Sequence, residues 1–427
     1  MHLRSRLLLL IYKALTAVIA PVGLLYLIRK KRRDPPYGPR KWELLGFVPV
    51  AFRRSVWFHT VSVGEVIAAR PVIERFIARH PKLNVIVTTT TTTGANEALK
   101  IKGITHLFAP LDSPCAVRRF FNAVKPSHLF IMETELWPNL LDEARRHRVS
   151  VTVFNARMPE KTCMAYEKHL TLVRDLIARP LNYVIAQSAD DKARFVRIGV
   201  PEERVLVANS LKYDLSPDEK LFKNARVLKK ALHLTPVFGA LSTHDGEEEL
   251  ILETFFTARE DLPGLKLVLV PRHQSGTEKA IAFLEEIGES YSRRSVIGDD
   301  LDALQGDVLI GDTFGEMEFF MGLCDLVFMG GSLIDIGGHN PLEPAYFSLP
   351  ILTGPYYYNF KEQFDKLIDV EGAFLAGDNR RLYSLIKMLL GDPEKLARAG
   401  MQAFDVQQQG RGAVQKTVAF MEKALTR

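Results

Sequence analysis

Short apolar runs alternate with helix-length amphipathic segments along most of this 427-residue chain, and the alternation occurs in two series. The first has apolar runs at Val56–Thr60, Val85–Thr89, Leu129–Met132, Val151–Phe154 and Val184–Ala186, followed by Val205–Val207. Between them lie segments such as Val66–Arg79, in which Val66, Ala69, Ile73, Phe76 and Ile77 recur on one helical face. Strand-length runs separated by amphipathic helices are the βαβ rhythm of a parallel sheet with helices on both sides. Leu211–Leu232 interrupts it, rich in Lys, Asp and Glu and containing Ser216-Pro217, a composition suited to a linker. A second series follows at Val237–Leu241, Leu267–Val270, Val308–Ile310, Leu326–Met329 and Ile351–Thr353. The pattern predicts an α/β chain of two doubly wound units that face a central cleft, where such sheets bind ligands at their strand C-terminal ends.

The chain opens differently. Leu7–Ile28 is a 22-residue apolar run interrupted by Lys13 and Thr16 and followed by Arg29-Lys30-Lys31-Arg32-Arg33. As a helix it spans about 33 Å at 1.5 Å per residue, roughly the hydrocarbon thickness of a bilayer. Pro21 and Gly23 weaken that helix and Lys13 has to snorkel, so an anchor lying in the interface stands beside a spanning one. No small-residue cleavage site follows the run, and the basic cluster predicts that the rest of the chain stays in the cytoplasm. Residues 1–54 hold 12 Lys/Arg against 2 Asp/Glu, a net of +10, which leaves the other residues at −4 of the total +6. The basic character therefore surrounds an apolar run rather than covering a folded face, which favours a membrane over nucleic acid as partner. Cys115, Cys163 and Cys324 have neither CxxC nor His-linked spacing, so no disulfide framework or zinc cluster is predicted. The expected divisions are an anchor over 1–33, one unit over 34–215 and a second over 216–427.

Candidate site residues fall at strand ends. Ser62-Val63-Gly64-Glu65 follows the first run and opens a helix, so Glu65 reads either as a catalytic base or as an N-terminal charge stabilised by the helix dipole. Met132-Glu133-Thr134-Glu135-Leu136-Trp137-Pro138-Asn139 places two carboxylates beside a Trp; in extended chain an i, i+2 pair points to opposite faces, so only one is expected to face the cleft. Thr88–Thr93 with Gly94 is strand passing into a hydroxyl-rich turn. In the second series, Ser242-Thr243-His244 and Glu247-Glu248-Glu249 open a helix with donors for an anion or with a good cap. Arg272-His273 suits a phosphate oxygen. The run Gly330 to Glu343 has four glycines in nine residues, where a ligand can approach backbone closely; Pro341 at the first helical position would make Asn340 the cap and leave Glu343 in the first turn. Asp300-Leu301-Asp302 is a formal DxD in an acidic loop, and neither a P-loop nor a GxSxG elbow is present.

In order, Ser62-Val63-Gly64-Glu65, Met132 to Asn139, Asn155-Ala156-Arg157, Leu211-Lys212-Tyr213-Asp214, Ser242-Thr243-His244, Val270-Pro271-Arg272-His273, Gly311-Asp312-Thr313 with Gly315-Glu316, and Gly330-Gly331-Ser332 through Gly338-His339-Asn340-Pro341-Leu342-Glu343 resemble the 3-deoxy-D-manno-octulosonic acid (Kdo) transferases of Gram-negative lipopolysaccharide synthesis. The resemblance runs from about residue 35 to 425 and takes in the N-terminal membrane segment. It implies a GT-B fold and inverting transfer of Kdo from CMP-Kdo to the lipid A precursor (lipid IVA) at the cytoplasmic leaflet of the inner membrane, without a metal or other cofactor. Carried over by motif, Glu65 would be the general base and Glu133 and Lys212 transition-state stabilisers. Arg272, His273, Phe314, Gly315, Glu316, Asn340, Pro341, Leu342 and Glu343 would form the CMP-binding set. The family often has Gly where Asn209 stands, and Gln274-Ser275-Gly276 replaces its usual Pro-Glu-Arg. The alternative is another GT-B nucleotide-sugar enzyme, an epimerase or a transferase using UDP or GDP donors.

Overall fold

The apolar runs are strands buried on both faces, as a helix-covered parallel sheet requires. The computed structural model describes residues 1–29, 37–49, 51–215, 217–300 and 303–425, with side chains of 24–29 left aside. The predicted linker Asp34–Pro39, the basic cluster and the DxD fall partly or largely outside these residues. Two units emerge, Met1–Asp214 with Arg411–Arg427, and Leu215–Gly410.

Unit 1 has seven strands, β1 (Ser55–His59), β2 (Val85–Thr89), β3 (Ile104–Phe108), β4 (Pro126–Met132), β5 (Ser150–Ala156), β6 (Tyr183–Ala186) and β7 (Val205–Val207). They pair in parallel in the order β3-β2-β1-β4-β5-β6-β7. Alternate side chains feed two cores. Trp57 and Leu129 join Phe120 and Phe121 on one face, while Phe58, Phe130 and Phe154 meet Phe76 on the other. The order reverses between β1 and β4, which opens a crevice at their C-terminal ends.

Unit 2 repeats the scheme with β8 (Val237–Thr243), β9 (Lys266–Pro271), β10 (Tyr291–Arg293), β11 (Val308–Ile310), β12 (Leu326–Met329), β13 (Ile351–Thr353) and β14 (Ala373–Leu375). Its order is β10-β11-β9-β8-β12-β13-β14, so its reversal lies between β8 and β12.

Three expectations are corrected. The supposed linker contains helix Glu219–Ala231, which buries Ala225 and stacks Phe222 on Phe347 at 3.9 Å within unit 2. Residues 411–427 do not belong with 216–410. Asp214 accepts the amides of Gly412 and Val414, each at 2.6 Å, and helix Ala413–Leu425 buries Val418 and Met421 in the core of unit 1. The N-terminal helix, Leu3–Arg29, runs on through Pro21 and packs against unit 1 instead of standing apart from it. Among the described residues, Leu3–Gly23 is the segment long and apolar enough to cross a membrane by length and composition.

Candidate functional site

In unit 1, the crevice between β1 and β4 gathers carboxylates. Ser62 caps helix Val63–Arg79, its hydroxyl accepting the Glu65 amide at 3.3 Å, while the Glu65 carboxylate accepts the Val61 amide at 3.0 Å and faces the Ser62 hydroxyl at 3.4 Å. These bonds, in which the carboxylate reaches the amide one residue before the cap, fix the rotamer of Glu65. They do not keep the carboxyl acidic. Burial, followed by the negative charges of Glu133 and Glu135, outweighs the Val61 amide and pushes Glu65 up to about 8.

Glu133 and Glu135 both act electrostatically on Glu65. Glu133 has φ of 54°, a left-handed conformation that costs a non-glycine residue about 1 kcal/mol or more and breaks the extended alternation. Glu133 is itself raised by burial and Glu135, against the positive charges of Lys212 and Arg157. Glu135 accepts the Trp137 indole N–H at 2.8 Å, and Trp137 meets buried His59 edge-on at 4.7 Å. Burial pushes His59 down to about 3, so this imidazole is neutral.

Lys212 is positioned from β5. Asn155, with φ of 50°, accepts the Leu211 backbone amide on Oδ1 at 3.0 Å, and its own carbonyl accepts the Gln187 side-chain amide at 2.8 Å. These bonds hold the turn Leu211–Tyr213 against the strand end. Asn209, where a glycine was the expected alternative, has φ of 72°, which Asn tolerates better than most residues. The motif Asn155-Ala156-Arg157 carries no evident role in the sequence, yet Asn155 holds the Lys212 turn and Arg157 acts on Glu133. The threonine run resolves as strand and cap: Thr91 accepts the Gly94 amide at 3.0 Å.

In unit 2 the reversal between β8 and β12 brings together Ser242 to Glu248 and Gly330 to Glu343. Fully buried Glu247 accepts four amides, from His244 at 3.0 Å, Gly331 at 2.6 Å, Ser332 at 3.0 Å and Leu333 at 2.8 Å. It thereby clamps the glycine loop to the start of the helix after β8. A Cβ on Gly330 would lie 2.4 Å from the Ser242 carbonyl oxygen, so only glycine lets the loop approach so closely.

Around the clamp, His244 and His339 share a hydrogen bond between their Nε2 atoms at 2.9 Å, and His273 meets His244 edge-on at 5.2 Å. Burial and the neighbouring positive charges push His339 down to about 4 and hold His244 below the usual histidine range. Arg272 is exposed at the end of β9 and acts electrostatically on both rings and on Glu343. Glu343 is pushed up, chiefly by burial, although Asn340 donates its side-chain amide to it at 3.1 Å. Helix Leu342–Tyr346 begins one residue later than expected, yet Asn340 still accepts the Leu342 amide at 3.2 Å beside Pro341. After β11, Phe314 is 96% exposed and Gly315 has φ of 78°. The Glu316 carboxylate is already committed, taking two N–H donors from Arg294 at 2.7 and 3.2 Å and the Thr313 hydroxyl. Its side chain thus braces the loop that presents Phe314.

The sequence model of the family described as 3-deoxy-D-manno-octulosonic-acid transferase (kdotransferase) matches residues 38–215. The chain is 31% identical over 423 residues to the 3-deoxy-D-manno-octulosonic acid transferase of Haemophilus influenzae, covering 97% of this chain and 98% of that one. With the transferase of Bordetella pertussis the identity is 31% over 425 residues, covering 95% and 96%. Among solved structures, UDP-GlcNAc 2-epimerase from Neisseria meningitidis superposes with a TM-score of 0.57 at 13% identity, over 87% of this chain and all of that one. A glycosyltransferase from Rickettsia africae gives 0.55 at 12% identity, over 88% and 99%. At these identities the structural likeness speaks to the fold, the GT-B pair of parallel α/β sheets.

Proposed function

We propose, given that this chain belongs to the 3-deoxy-D-manno-octulosonic acid (Kdo) transferases and is therefore a glycosyltransferase of lipopolysaccharide synthesis, that it moves Kdo from CMP-Kdo to the lipid A precursor, lipid IVA. Transfer proceeds with inversion and releases CMP. The observation that carries this reading is Glu65, a carboxyl fixed at a strand-to-helix turn and pushed up to about 8 by burial and two like charges. An acceptor hydroxyl must lose its proton as the anomeric carbon is attacked, and a base is most effective when its pKa lies near the working pH. At pH 7 about a tenth of such a group is ionised, and each ionised carboxylate is a stronger base than an ordinary Glu.

The other roles follow from charge. Glu133 supplies negative charge to the developing oxocarbenium ion, and Lys212 supplies positive charge to the departing phosphate. In unit 2, exposed Arg272 with His273 takes the CMP phosphate, Phe314 offers a ring face to the cytosine, and Asn340 and Glu343 bond the ribose hydroxyls. Pro341 and Leu342 begin the helix that holds those last two, while Gly315 and Glu316 shape the loop under Phe314. Unit 1 is the acceptor side and unit 2 the donor side. Work on a lipid acceptor explains the N-terminal helix, which holds the enzyme at the cytoplasmic face of the inner membrane.

Mass spectrometry of the lipid formed from CMP-Kdo and tetraacyl lipid A precursor tests the donor and acceptor, and NMR of the new linkage tests inversion. Mass added in Kdo units is expected. No CMP release with any lipid acceptor would refute the reading.

A further inference from the structure

Helix Leu3–Arg29 gathers polar side chains into one strip, and that strip is bonded to unit 1. The Tyr12 hydroxyl donates to Asp112 at 2.9 Å, Lys13 pairs with Asp142, and Asn139 donates its side-chain amide to Thr16 at 3.0 Å. The Lys13–Asp142 pair is largely removed from water, with side chains 13% and 5% exposed. Asp112 in turn accepts the amides of Asn139 and Leu140 at 3.2 and 2.9 Å, so the strip rests on the start of helix Pro138–Arg146. The opposite side of the N-terminal helix is apolar and open. Leu3, Leu7, Leu10, Leu15, Val18 and Val22 recur at helical spacing and are 56–83% exposed.

Depth decides what such a helix can do. Lys13 stands about 15 Å along from Leu3, halfway through the apolar stretch Leu3–Gly23. A helix crossing a bilayer would put Lys13 near the midplane, and Asp112, Asn139 and Asp142 would have to follow it there. Asp142 would bring its other partners, Arg145 and Arg146, bonded at 2.8 and 2.9 Å. Charged groups at the bilayer centre are costly and the surface of an α/β unit has no place in hydrocarbon. A docked helix therefore does not cross. The neighbouring 3-10 helix Gly38–Leu45 adds exposed Trp42, with the Lys41 ammonium 5.5 Å from its ring, and Phe47 just beyond it lies 4.4 Å from Arg119. Aromatic rings paired with cations suit the headgroup level of a leaflet.

We infer that the N-terminal helix lies in the plane of one leaflet of an anionic phospholipid membrane, latched to unit 1 by Tyr12, Lys13 and Thr16 and immersed by its apolar face. The net +10 of residues 1–54 matches the charge of that surface. This inference rests on the membrane-bound reading above and specifies its geometry.

The test uses the full chain carrying His2→Cys, an exposed position on the polar side of the helix, in a Cys115→Ser background, expressed in a Gram-negative host and recovered in inverted inner-membrane vesicles, whose cytoplasmic face is outward. Cys163 and Cys324 are buried. A membrane-impermeant maleimide is expected to label residue 2 equally before and after detergent. Labelling that appears only after detergent places the N-terminus across the bilayer and overturns the inference while leaving membrane attachment intact. Failure of the protein to sediment with the vesicles removes the membrane reading itself. In a second arm, a fluorophore on Leu15→Cys in the same background is expected to be quenched by acyl-brominated lipid in reconstituted vesicles of phosphatidylethanolamine and phosphatidylglycerol. Full fluorescence there would overturn immersion of the apolar face.

Discussion

Glu65 and Glu247 occupy corresponding places, each at the start of the helix that follows the first strand of its unit, beside the reversal of strand order. Their surroundings are opposite. Glu247 is fully buried under four backbone amides, a donor set that ties two loops together. Glu65 has one amide and one hydroxyl, and burial, with two carboxylates nearby adding to it, pushes it up to about 8. One residue type at one topological position is thus a structural clamp where donors are plentiful, and carries a raised pKa, the property proposed above to suit a base, where donors are few and like charges are near.

The largest effect is expected at the clamp. Glu247→Ala leaves four amides without their acceptor, and at about 1–3 kcal/mol per unsatisfied buried group unit 2 loses several kcal/mol. Denaturant unfolding checks this, and a near-normal midpoint would erase the contrast with Glu65. Glu65→Gln is expected to fold normally, keep CMP affinity and lose about 10²- to 10⁴-fold in transfer rate. Its stability profile sharpens the point. Because the folded pKa lies above the ordinary 4.5, Glu65 is protonated in the folded state where the unfolded chain is ionised, so its contribution to stability falls as pH rises from about 4.5 to 8. Thermal unfolding of Glu65→Gln across that range should therefore be less pH-dependent than that of the parent.

Arg272→Ala is expected to weaken CMP about ten- to a hundredfold by calorimetry, since a charge-assisted phosphate contact contributes about 1.5–3 kcal/mol. Unchanged affinity would take Arg272 out of the donor site. The smallest effect is at the N-terminal latch. Lys13→Met leaves Asp142 with Arg145 and Arg146, so a loss of about 1 kcal/mol is expected from unfolding in detergent.

The interior strands were legible because apolar runs mark strands buried on both faces. β3, β10 and β14 escaped notice, and all three are sheet edges; Thr105 and His106 in β3 and Ser292 and Arg293 in β10 dilute the apolar signal, while β14 is an apolar stretch of only three residues. The site residues were legible as strand-end motifs, but their orientations were not. Nothing in Met132-Glu133-Thr134-Glu135 announces a positive φ at Glu133, which breaks the extended alternation assumed for the pair. Nor does Glu247-Glu248-Glu249 reveal which carboxylate becomes the clamp, because its partners Gly331 to Leu333 lie more than 80 residues downstream. The docked helix was hidden for the same reason, since Asp112, Asn139 and Asp142 lie far from Lys13 in sequence.

The central claim is that Glu65 is the base and that burial with its two carboxylate neighbours sets its pKa. The pH dependence of kcat/KM for transfer from CMP-Kdo to the lipid A precursor tests it directly. The account expects a rate that climbs with pH and levels off above about 8, with the bend moved to lower pH in Glu135→Gln, where one like charge is gone. A profile flat from pH 6 to 9, or a bend retained in Glu65→Gln, would contradict it.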